Sequence, residues 1–561
     1  MSRTEVDTTD TAPAAPRAVS RRRRAVTGGL WSAASQFVPA LSTAVLSVAA
    51  GRVLGSSALG AQSLIAYVNA AAASVVIYAL NTALLQLGGR LQGEDDEVRA
   101  GLLTRWAIGA HVASGLVVFA AMGVSALLVG ENHVAWAVIG AVSVIDALAD
   151  GLAVRLILTE GWGPLGRLRL VFQLLGPPLG IAFLLAGYGI TGIFVGDGIA
   201  ALGLLAAVFL RHRRKRSVPL VAAGGRPAFV AAAPAAVPWT FRAGRWRPGV
   251  VRRRRGDALR PPVRVLPTYV LFALDALVTQ VVSKRIEFVV LAVLATNSAI
   301  GMYSVAFMAV NLISMVPLGI AAAAMPIVAA AAARGELSAA TRHLRFALRL
   351  GSLVAFPMVG LLAAVGPYAV TVVYGSAYGE AARLVPLASL VLLVAVTSGV
   401  CAQFWAGQGR LKTVLLVGSV AAVADVGVAV ALVPPLGAAG AVVANLVGQV
   451  TLAAGLLRAT VRDTGPIGWR ARGLLAALVA GVLGGIAARA AATWAGGLAS
   501  GVELPALVAL GVGSVVFAVV ALAVAAALKV FDEEELEWLQ PLLPRRIMPV
   551  LARFGVGRVA T

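Results

Sequence analysis

The most regular feature of this sequence is a succession of long apolar runs separated by short polar segments. Most runs reach or exceed the roughly 18 residues that a helix needs to cross the hydrocarbon core of a bilayer. The pattern therefore predicts an all-α, polytopic membrane protein with about 14 transmembrane helices. The predicted spans are residues 28–50, 60–87, 106–130, 134–158, 165–187, 190–210, 269–296, 300–330, 346–366, 384–407, 411–433, 437–457, 471–492 and 505–529.

Basic residues are distributed unevenly between the two sides of these spans. If the N-terminus is cytoplasmic, 42 of the 47 Lys and Arg residues fall in cytoplasmic segments. Cytoplasmic loops collect Lys and Arg, and a different helix number would mix the basic residues between the sides. The segregation therefore predicts both termini in the cytoplasm. Of the remaining five, Arg52, Arg383 and Arg489 fall near outer ends, and Lys284 and Arg285 lie within a span.

Composition agrees with a plasma-membrane protein. The chain is 59% hydrophobic and 13% charged, about half of the 25% charge usual in soluble domains. A net charge of +22 would suggest nucleic acid in a soluble chain, but membrane topology accounts for it here, so we expect no nucleic-acid partner. The single Cys401 and four dispersed histidines predict no metal site and no cofactor. No Gly-Lys dipeptide of a P-loop occurs, and we expect no enzyme.

The long polar segment at residues 211–268 is predicted to be a cytoplasmic linker. Its residues 211–267 contain 15 basic residues, eight prolines and one acid, Asp257. Such a composition cannot build a core and is expected to be largely disordered. The simplest interpretation is a linker that fixes topology. The alternative is a segment that binds membrane lipids through its arginines or docks partners such as polysaccharide-assembly enzymes.

The chain also contains an internal repeat. The segment SSALGAQSL (56–64) is similar to NSAIGMYSV (297–305), and GYGITG (187–192) is similar to PLGAAG (435–440). The offsets of 241 and 248 residues place the first six predicted helices onto the next six in the same order. Transporters use such repeats and bind substrate between the halves. The predicted organisation is an N-terminal tail (1–27), an N-lobe (28–210), the linker (211–268), a C-lobe (269–458), a helix pair (459–529) and a cytoplasmic C-terminal tail (530–561).

Several stretches in the same order as these repeats resemble a known family. They are RIEFVVLAVLATNSAIGMYSVAFMAV (285–310), VPLGIAAAAMPIVA (316–329), VVYGSAYGEA (372–381), VPPLGAAGAVVANLVGQ (433–449) and, in the first half, residues 28–64. Over residues 28–460 the chain is similar to polysaccharide flippases of the multidrug/oligosaccharidyl-lipid/polysaccharide (MOP) exporter superfamily. The resemblance implies export of polyprenyl-diphosphate-linked sugars by alternating access. Other members move drugs or the peptidoglycan precursor. The precursor flippases carry arginine in the first helix, whereas this chain has none between Arg24 and Arg52, and this difference disfavours a precursor flippase.

Charged residues in the seventh predicted span are the candidates for substrate binding: Asp275, Lys284, Arg285 and Glu287. Ionisable groups inside a span are costly and mark functional sites. Lys284 and Glu287 are three residues apart, so they share a helix face and can pair, while Arg285 points about 100° away from Lys284. A guanidinium suits a diphosphate because it donates two parallel hydrogen bonds. The alternative is that these charges pair structurally with one another or lie nearer a membrane interface than the predicted span places them.

Four acids in other spans are candidates for ion coupling: Asp146, Asp150, Asp197 and Asp425. Asp146 and Asp150 are four residues apart on one helix face, with Arg155 as a potential partner. Two adjacent carboxylates in a low-dielectric setting favour binding of a proton or a cation. The alternative is a neutralised structural pair.

These observations lead to one hypothesis and two rivals. The hypothesis is a flippase that binds a lipid-linked sugar in a polar cavity between the lobes while the lipid tail stays in the bilayer. A cation-coupled multidrug antiporter would instead line its cavity with acids and aromatic residues. A non-transporting membrane scaffold would have a sealed apolar interface.

Overall fold

The computed structural model describes residues 15–93, 96–160, 162–214, 265–333, 337–408, 410–466, 471–498 and 504–530. Every regular element in these ranges is helical, which confirms the all-α class. The predicted tails and linker fall mainly on residues 1–14, 215–264 and 531–561, which lie outside the described residues.

The helices are α1 (Ala15–Ala73), α2 (Ala79–Gly93), α3 (Glu97–Val129), α4 (His133–Glu160), α5 (Trp162–Phe183), α6 (Gly189–Arg214), α7 (Val265–Val282), α8 (Glu287–Leu294), α9 (Asn297–Ala333), α10 (Leu337–Tyr374), α11 (Gly379–Ser389), α12 (Val391–Gly407), α13 (Leu411–Leu436), α14 (Ala438–Thr464), α15 (Ala471–Gly497) and α16 (Leu504–Ala527). Short π-helical segments at 74–78 and 184–188 follow α1 and α5, and a short 3₁₀ turn at 376–378 lies between α10 and α11.

The number of spans follows from the lengths of these helices. Eleven helical segments among the described residues are long and apolar enough to cross a membrane, and the bent pair α11–α12 raises this to twelve. Two of the eleven are 51 and 52 residues long, about twice the length of one span. The first has non-helical geometry at Gly55 and the second at Gly187. Dividing both segments there gives fourteen spans, in agreement with the sequence prediction.

Two predicted spans are interrupted in the structure. The span predicted at 269–296 consists of α7 and α8 joined by a turn at residues 283–286. The span predicted at 384–407 is bent by 49° between α11 and α12. Pro386 lies in α11 just before this bend, and proline removes one helical hydrogen bond.

The repeated hairpins adopt the same backbone geometry. Gly189 has φ 56° and ψ −144°, and Gly437, 248 positions later, has φ 54° and ψ −127°. Both lie in a region of φ/ψ space that glycine alone visits readily. Each glycine begins the second helix of a tight pair, α5–α6 or α13–α14. These matching turns support a parallel repeat, while the residue bounds of the two lobes stay a prediction.

The two halves of the chain pack together mainly through α1 and α9, and the α15–α16 pair lies against α10. Helices in lipid associate through close packing of small residues, because lipid tails are as apolar as a leucine side chain. The contact between α10 and α15 illustrates this: Gly360 and Gly481 are so close that a Cβ at Gly360 would overlap the Gly481 carbonyl.

Candidate functional site

The break between α7 and α8 builds the main polar feature of the second half. Arg285 in this turn has φ 71°, a left-handed conformation that costs a non-glycine residue about 1–2 kcal/mol. The end of α7 leaves carbonyl groups without helical donors. The Val282 carbonyl accepts a hydrogen bond of 2.8 Å from the Gln449 amide and a longer one of 3.5 Å from Asn445. Two amides of α14 therefore stabilise the broken helix end.

Arg285 is half-buried and its guanidinium has two neighbours on α9. It donates to Asn311 Oδ1 at 2.5 Å and lies 4.0 Å from the centre of the Phe307 ring. Guanidinium groups favour such stacking over an aromatic face. The side chain lines a cavity of about 190 Å³. The other polar residues lining it are Ser283, Asn311, Ser314, Ser398, Asn445 and Gln449.

The break separates the four residues predicted to bind substrate. Arg285 lines the cavity, whereas Lys284 is exposed and neither Lys284 nor the half-buried Asp275 lines it. The expected Lys284–Glu287 pairing assumed a continuous helix, and both Glu287 carboxylate oxygens lack a hydrogen-bond partner among the described residues. The position of the cavity also differs from the sequence prediction, which placed it between the two lobes. All of its lining residues lie between 283 and 452, inside the second half rather than between the halves.

A pair of buried acids lies beside this break. Glu287 and Asp425 are both fully buried, and they are neighbours where α8 packs against α13. No described residue donates to any of their four oxygens. The Tyr303 hydroxyl, near Glu287, is also buried, and none of the residues described by the structure forms a hydrogen bond with it. Because two bare carboxylates repel each other, the arrangement calls for a bound proton or cation between them.

The Asp425 carboxylate has room beside α14 because the neighbouring residue of that helix is a glycine, Gly448. A Cβ at Gly448 would lie 2.7 Å from Asp425 Oδ2. Asn445, on the same helix, lies next to Glu287, while its amide group donates to the Val282 carbonyl. The pair therefore brings together α8, α13 and α14, with Tyr303 from α9.

The three acids of the first half occupy a separate polar region. Asp150 forms an ion pair with Arg169 of α5, not with Arg155 as the sequence suggested. Helix-face arguments find partners only on the same helix, and here the partner comes from a neighbouring one. Asp146 is exposed, one turn before Asp150, and Asp197 of α6 is half-buried.

His111 adds a residue to this region that the sequence did not single out. It is fully buried, and its Nδ1 lies 2.8 Å from the Ala107 carbonyl, while Nε2 has no hydrogen-bond partner in the described ranges. Across the part of the chain that the structure describes, no group of three His, Cys, Asp or Glu side chains is placed to hold a metal ion.

Comparisons with known proteins place this architecture among transporters. The family model "Lipid II flippase MurJ" matches residues 199–508, more than half of the chain. The fold is similar to a solved structure of the lipid II flippase MurJ in an inward closed conformation, with 13% identity, a TM-score of 0.60, and coverage of 89% of this chain and 99% of that chain.

Two further solved structures share the fold. An inward-facing multidrug resistance MATE family transporter of the MOP superfamily has 15% identity and a TM-score of 0.55, covering 76% of this chain and 94% of that chain. A MOP superfamily transporter from Pyrococcus furiosus has 15% identity and a TM-score of 0.53, covering 78% and 96%. No curated protein matches the sequence significantly.

Proposed function

Because this chain belongs to the lipid II flippase MurJ family, we propose that it moves a polyprenyl-diphosphate-linked saccharide to the outer leaflet by alternating access. The MOP superfamily predicted from the sequence is confirmed. The sequence favours a polysaccharide flippase over a precursor flippase, but the matching family model is that of the lipid II flippases, so we propose lipid II as the substrate within this class. It is a multi-pass membrane protein, and we propose that it resides in the plasma membrane with both termini inside.

The observation that carries the proposal is the position of Arg285 in a cavity lined otherwise by neutral groups. An unpaired guanidinium in a membrane costs at least about 2.5 kcal/mol on insertion scales. Asn311 offers it a neutral oxygen, which an incoming diphosphate can replace with charged oxygens and two parallel hydrogen bonds. A cavity of about 190 Å³ suits this charged group rather than the whole substrate. In the proposal the saccharide lies outside it and the lipid tail stays in the bilayer.

The lining chemistry also bears on the two rival functions. A drug antiporter for cations would place carboxylates around its substrate, but the residues lining this cavity include one Arg and no Asp or Glu. A scaffold would have no need of a polar cavity with a half-buried arginine. Both rivals are therefore weaker than a flippase of anionic lipids.

We assign ion coupling to the Glu287–Asp425 pair. Outward movement of a doubly negative diphosphate is helped by a potential that is negative inside, by about 2.3 kcal/mol per charge per 100 mV. A proton or sodium ion at the acid pair would then serve the return of the empty carrier. Asp146, Asp150 and Asp197 stay secondary candidates, and Asp150 is the weakest because Arg169 already neutralises it.

The substrate assignment is tested with variants of Arg285 in proteoliposomes that contain lipid II. Arg285→Ala is expected to abolish flipping while the protein remains inserted and abundant, and Arg285→Lys is expected to keep partial activity because it retains charge without the bidentate geometry. Lys284→Ala is the matched control, since it removes the neighbouring exposed charge, and it should keep most of the activity. Full activity of a well-folded Arg285→Ala protein would refute the assignment.

A further inference from the structure

One end of the helix bundle brings the two halves of the chain into direct contact. We call it the distal end and define it by the connections at Gly55, residues 130–132, Thr296 and Gly375. The basic connections lie at the opposite end of the same helices, so the proposed topology places the distal end outside the cell. There Asn297 of the second half donates to Glu131 of the first half at 3.3 Å.

The first contact at the distal end joins the two copies of the sequence repeat. A Cβ at Gly60 would overlap the Asn297 carbonyl oxygen, and a Cβ at Gly301 would overlap the Ser56 carbonyl oxygen. Gly60 and Gly301 are equivalent positions of the repeat, 241 residues apart. Each half therefore uses the same glycine to admit the backbone of the other half, which is a reciprocal, pseudo-symmetric crossing.

Serine side chains extend this crossing on both sides. Ser56 Oγ lies 3.0 Å from Ser298 Oγ, and Ser63 Oγ donates to Ser304 Oγ at 2.9 Å. Ser63 and Ser304 are again equivalent repeat positions. These bonds are short and neutral, so they can be exchanged for water at little cost when the halves separate.

The second contact joins α1 to the end of α10 through Arg52. Its guanidinium donates to the carbonyl oxygens of Val373 at 2.7 Å and Val372 at 2.6 Å. These carbonyls belong to the last turn of α10, where a helix has no donors of its own, and a positive charge there also complements the helix dipole. Arg52 thus caps a helix of the other half of the chain.

Two tyrosines surround this cap. Tyr374 shares a hydrogen bond of 3.1 Å with Ser47, and the Tyr378 hydroxyl donates to the Gly51 carbonyl at 3.0 Å. Because Arg52 itself is exposed, both the guanidinium and the α10 carbonyls can take up water on separation. The cap is therefore reversible, unlike a buried ion pair, whose separation leaves charge uncompensated.

We propose that Arg52 is the latch of a gate at the distal end, holding the two halves together there and releasing α10 when that end opens. The inference rests on the proposed function, since alternating access requires the distal end to open. It also explains why one of the few arginines outside the predicted cytoplasmic segments lies at this position. Hydrogen bonds to a charged group are strong enough that losing this pair should shift a closed–open equilibrium about ten-fold.

The test measures opening of the distal end without substrate, in the full chain with Cys401→Ser as the parent. In one set of proteins, Ser63→Cys and Ser304→Cys report closure through disulfide formation under a mild oxidant. In a second set, Ser304→Cys alone reports opening through labelling by a membrane-impermeant maleimide in intact cells. Adding Arg52→Ala is expected to slow disulfide formation about ten-fold and to speed labelling by a similar factor.

Arg489→Ala is the matched control, because Arg489 also contacts α10, through the Ala364 carbonyl and the Tyr368 ring, but does so from α15. It should leave both rates unchanged. Arg52→Lys should shift both rates in the same direction by a smaller factor. If Arg52→Ala behaves like Arg489→Ala, or if Arg52→Ala fails to fold and Arg52→Lys keeps the parent rates, the latch is refuted. Both readouts report conformation alone, so they remain decisive even if lipid II proves not to be the substrate.

Discussion

At the scale of single residues, the two polar sites of the second half differ in how their charges are balanced. Arg285 is held by a neutral amide and an aromatic ring, so it can exchange a weak partner for a strong one. Glu287 and Asp425 lie beside each other, and no described residue donates a hydrogen bond to either carboxylate. Burial of unbalanced charge is costly, which makes the acid pair the more sensitive of the two sites to its ionic surroundings.

This difference predicts how the acid pair responds to substitution. Glu287→Gln removes the repulsion and offers Asp425 an amide donor, so the fold should keep or gain thermal stability without added ions. Binding of an ion only to the native state raises stability in proportion to ln(1 + [L]/Kd). The parent Tm should therefore rise in sodium chloride relative to choline chloride at equal ionic strength, or on lowering the pH if the ion is a proton. The Glu287→Gln and Asp425→Asn proteins should lose that response.

Asp463→Asn is the appropriate control for this experiment, because Asp463 pairs with Arg410 outside the acid pair. It should retain the ion response of the parent. A Glu287→Gln protein that responds to sodium and pH as the control does would exclude the pair as the coupling site.

Single-residue chemistry was only partly predictable from the sequence. Arg285 stood out because a charge inside an apolar span is rare. Its true neighbours, Asn311 and Phe307, are neutral residues of another helix, and a search for charge cannot find them. The pairing of Glu287 with Lys284 follows from their spacing of three residues on a helix, and residues 283–286 contain neither glycine nor proline to signal a turn. Only tertiary contacts, such as the Gln449 amide at the end of α7, reveal the break.

At the scale of helices, the repeated turns at Gly189 and Gly437 determine how two pairs of helices reverse direction. Similar glycine-rich segments mark both turns in the sequence. The two glycines that the repeat aligns also have similar φ and ψ angles in the structure. The sequence also predicted the number of spans, because apolar length is a strong signal. It did not predict the bend between α11 and α12, since a single proline in a helix bends it in some contexts only.

A substitution at one of these turns tests their role in stability. Gly437→Ala would force a side chain into a backbone conformation that costs about 1–3 kcal/mol, so the Tm in detergent should fall. Gly427 lies ten residues earlier, inside α13, where an added Cβ meets nothing within 4 Å. Helix propensity favours alanine there by about 1 kcal/mol, so the Tm of Gly427→Ala should stay level or rise. Equal Tm values for the two variants would show that the turn geometry is not needed.

At the scale of the whole molecule, the two ends of the helix bundle differ in charge and in the contacts between the two halves. The basic connections lie at one end, and the distal end contains the contacts between repeats together with Arg52. The sequence located the basic end through simple counting of Lys and Arg. It also identified the segments around Gly60 and Gly301 as repeats. That these two segments touch each other could not be deduced, because a repeat in sequence does not specify which faces of the two copies meet.

The orientation of these ends in the membrane yields the last prediction. In a Cys401→Ser parent, Asn132→Cys at the distal end should react with a membrane-impermeant maleimide in intact cells. Pro466→Cys, in the exposed connection after α14 at the basic end, should react only after the cells are permeabilised. Both positions are exposed, so the difference reports the side of the membrane and not local burial. Fourteen spans place every distal connection on one side, and in the proposed topology the basic end faces inside because cytoplasmic segments collect lysine and arginine. Labelling of both positions in intact cells would contradict the fourteen-helix topology, while the reverse pattern would keep the helix number and invert the proposed direction of transport.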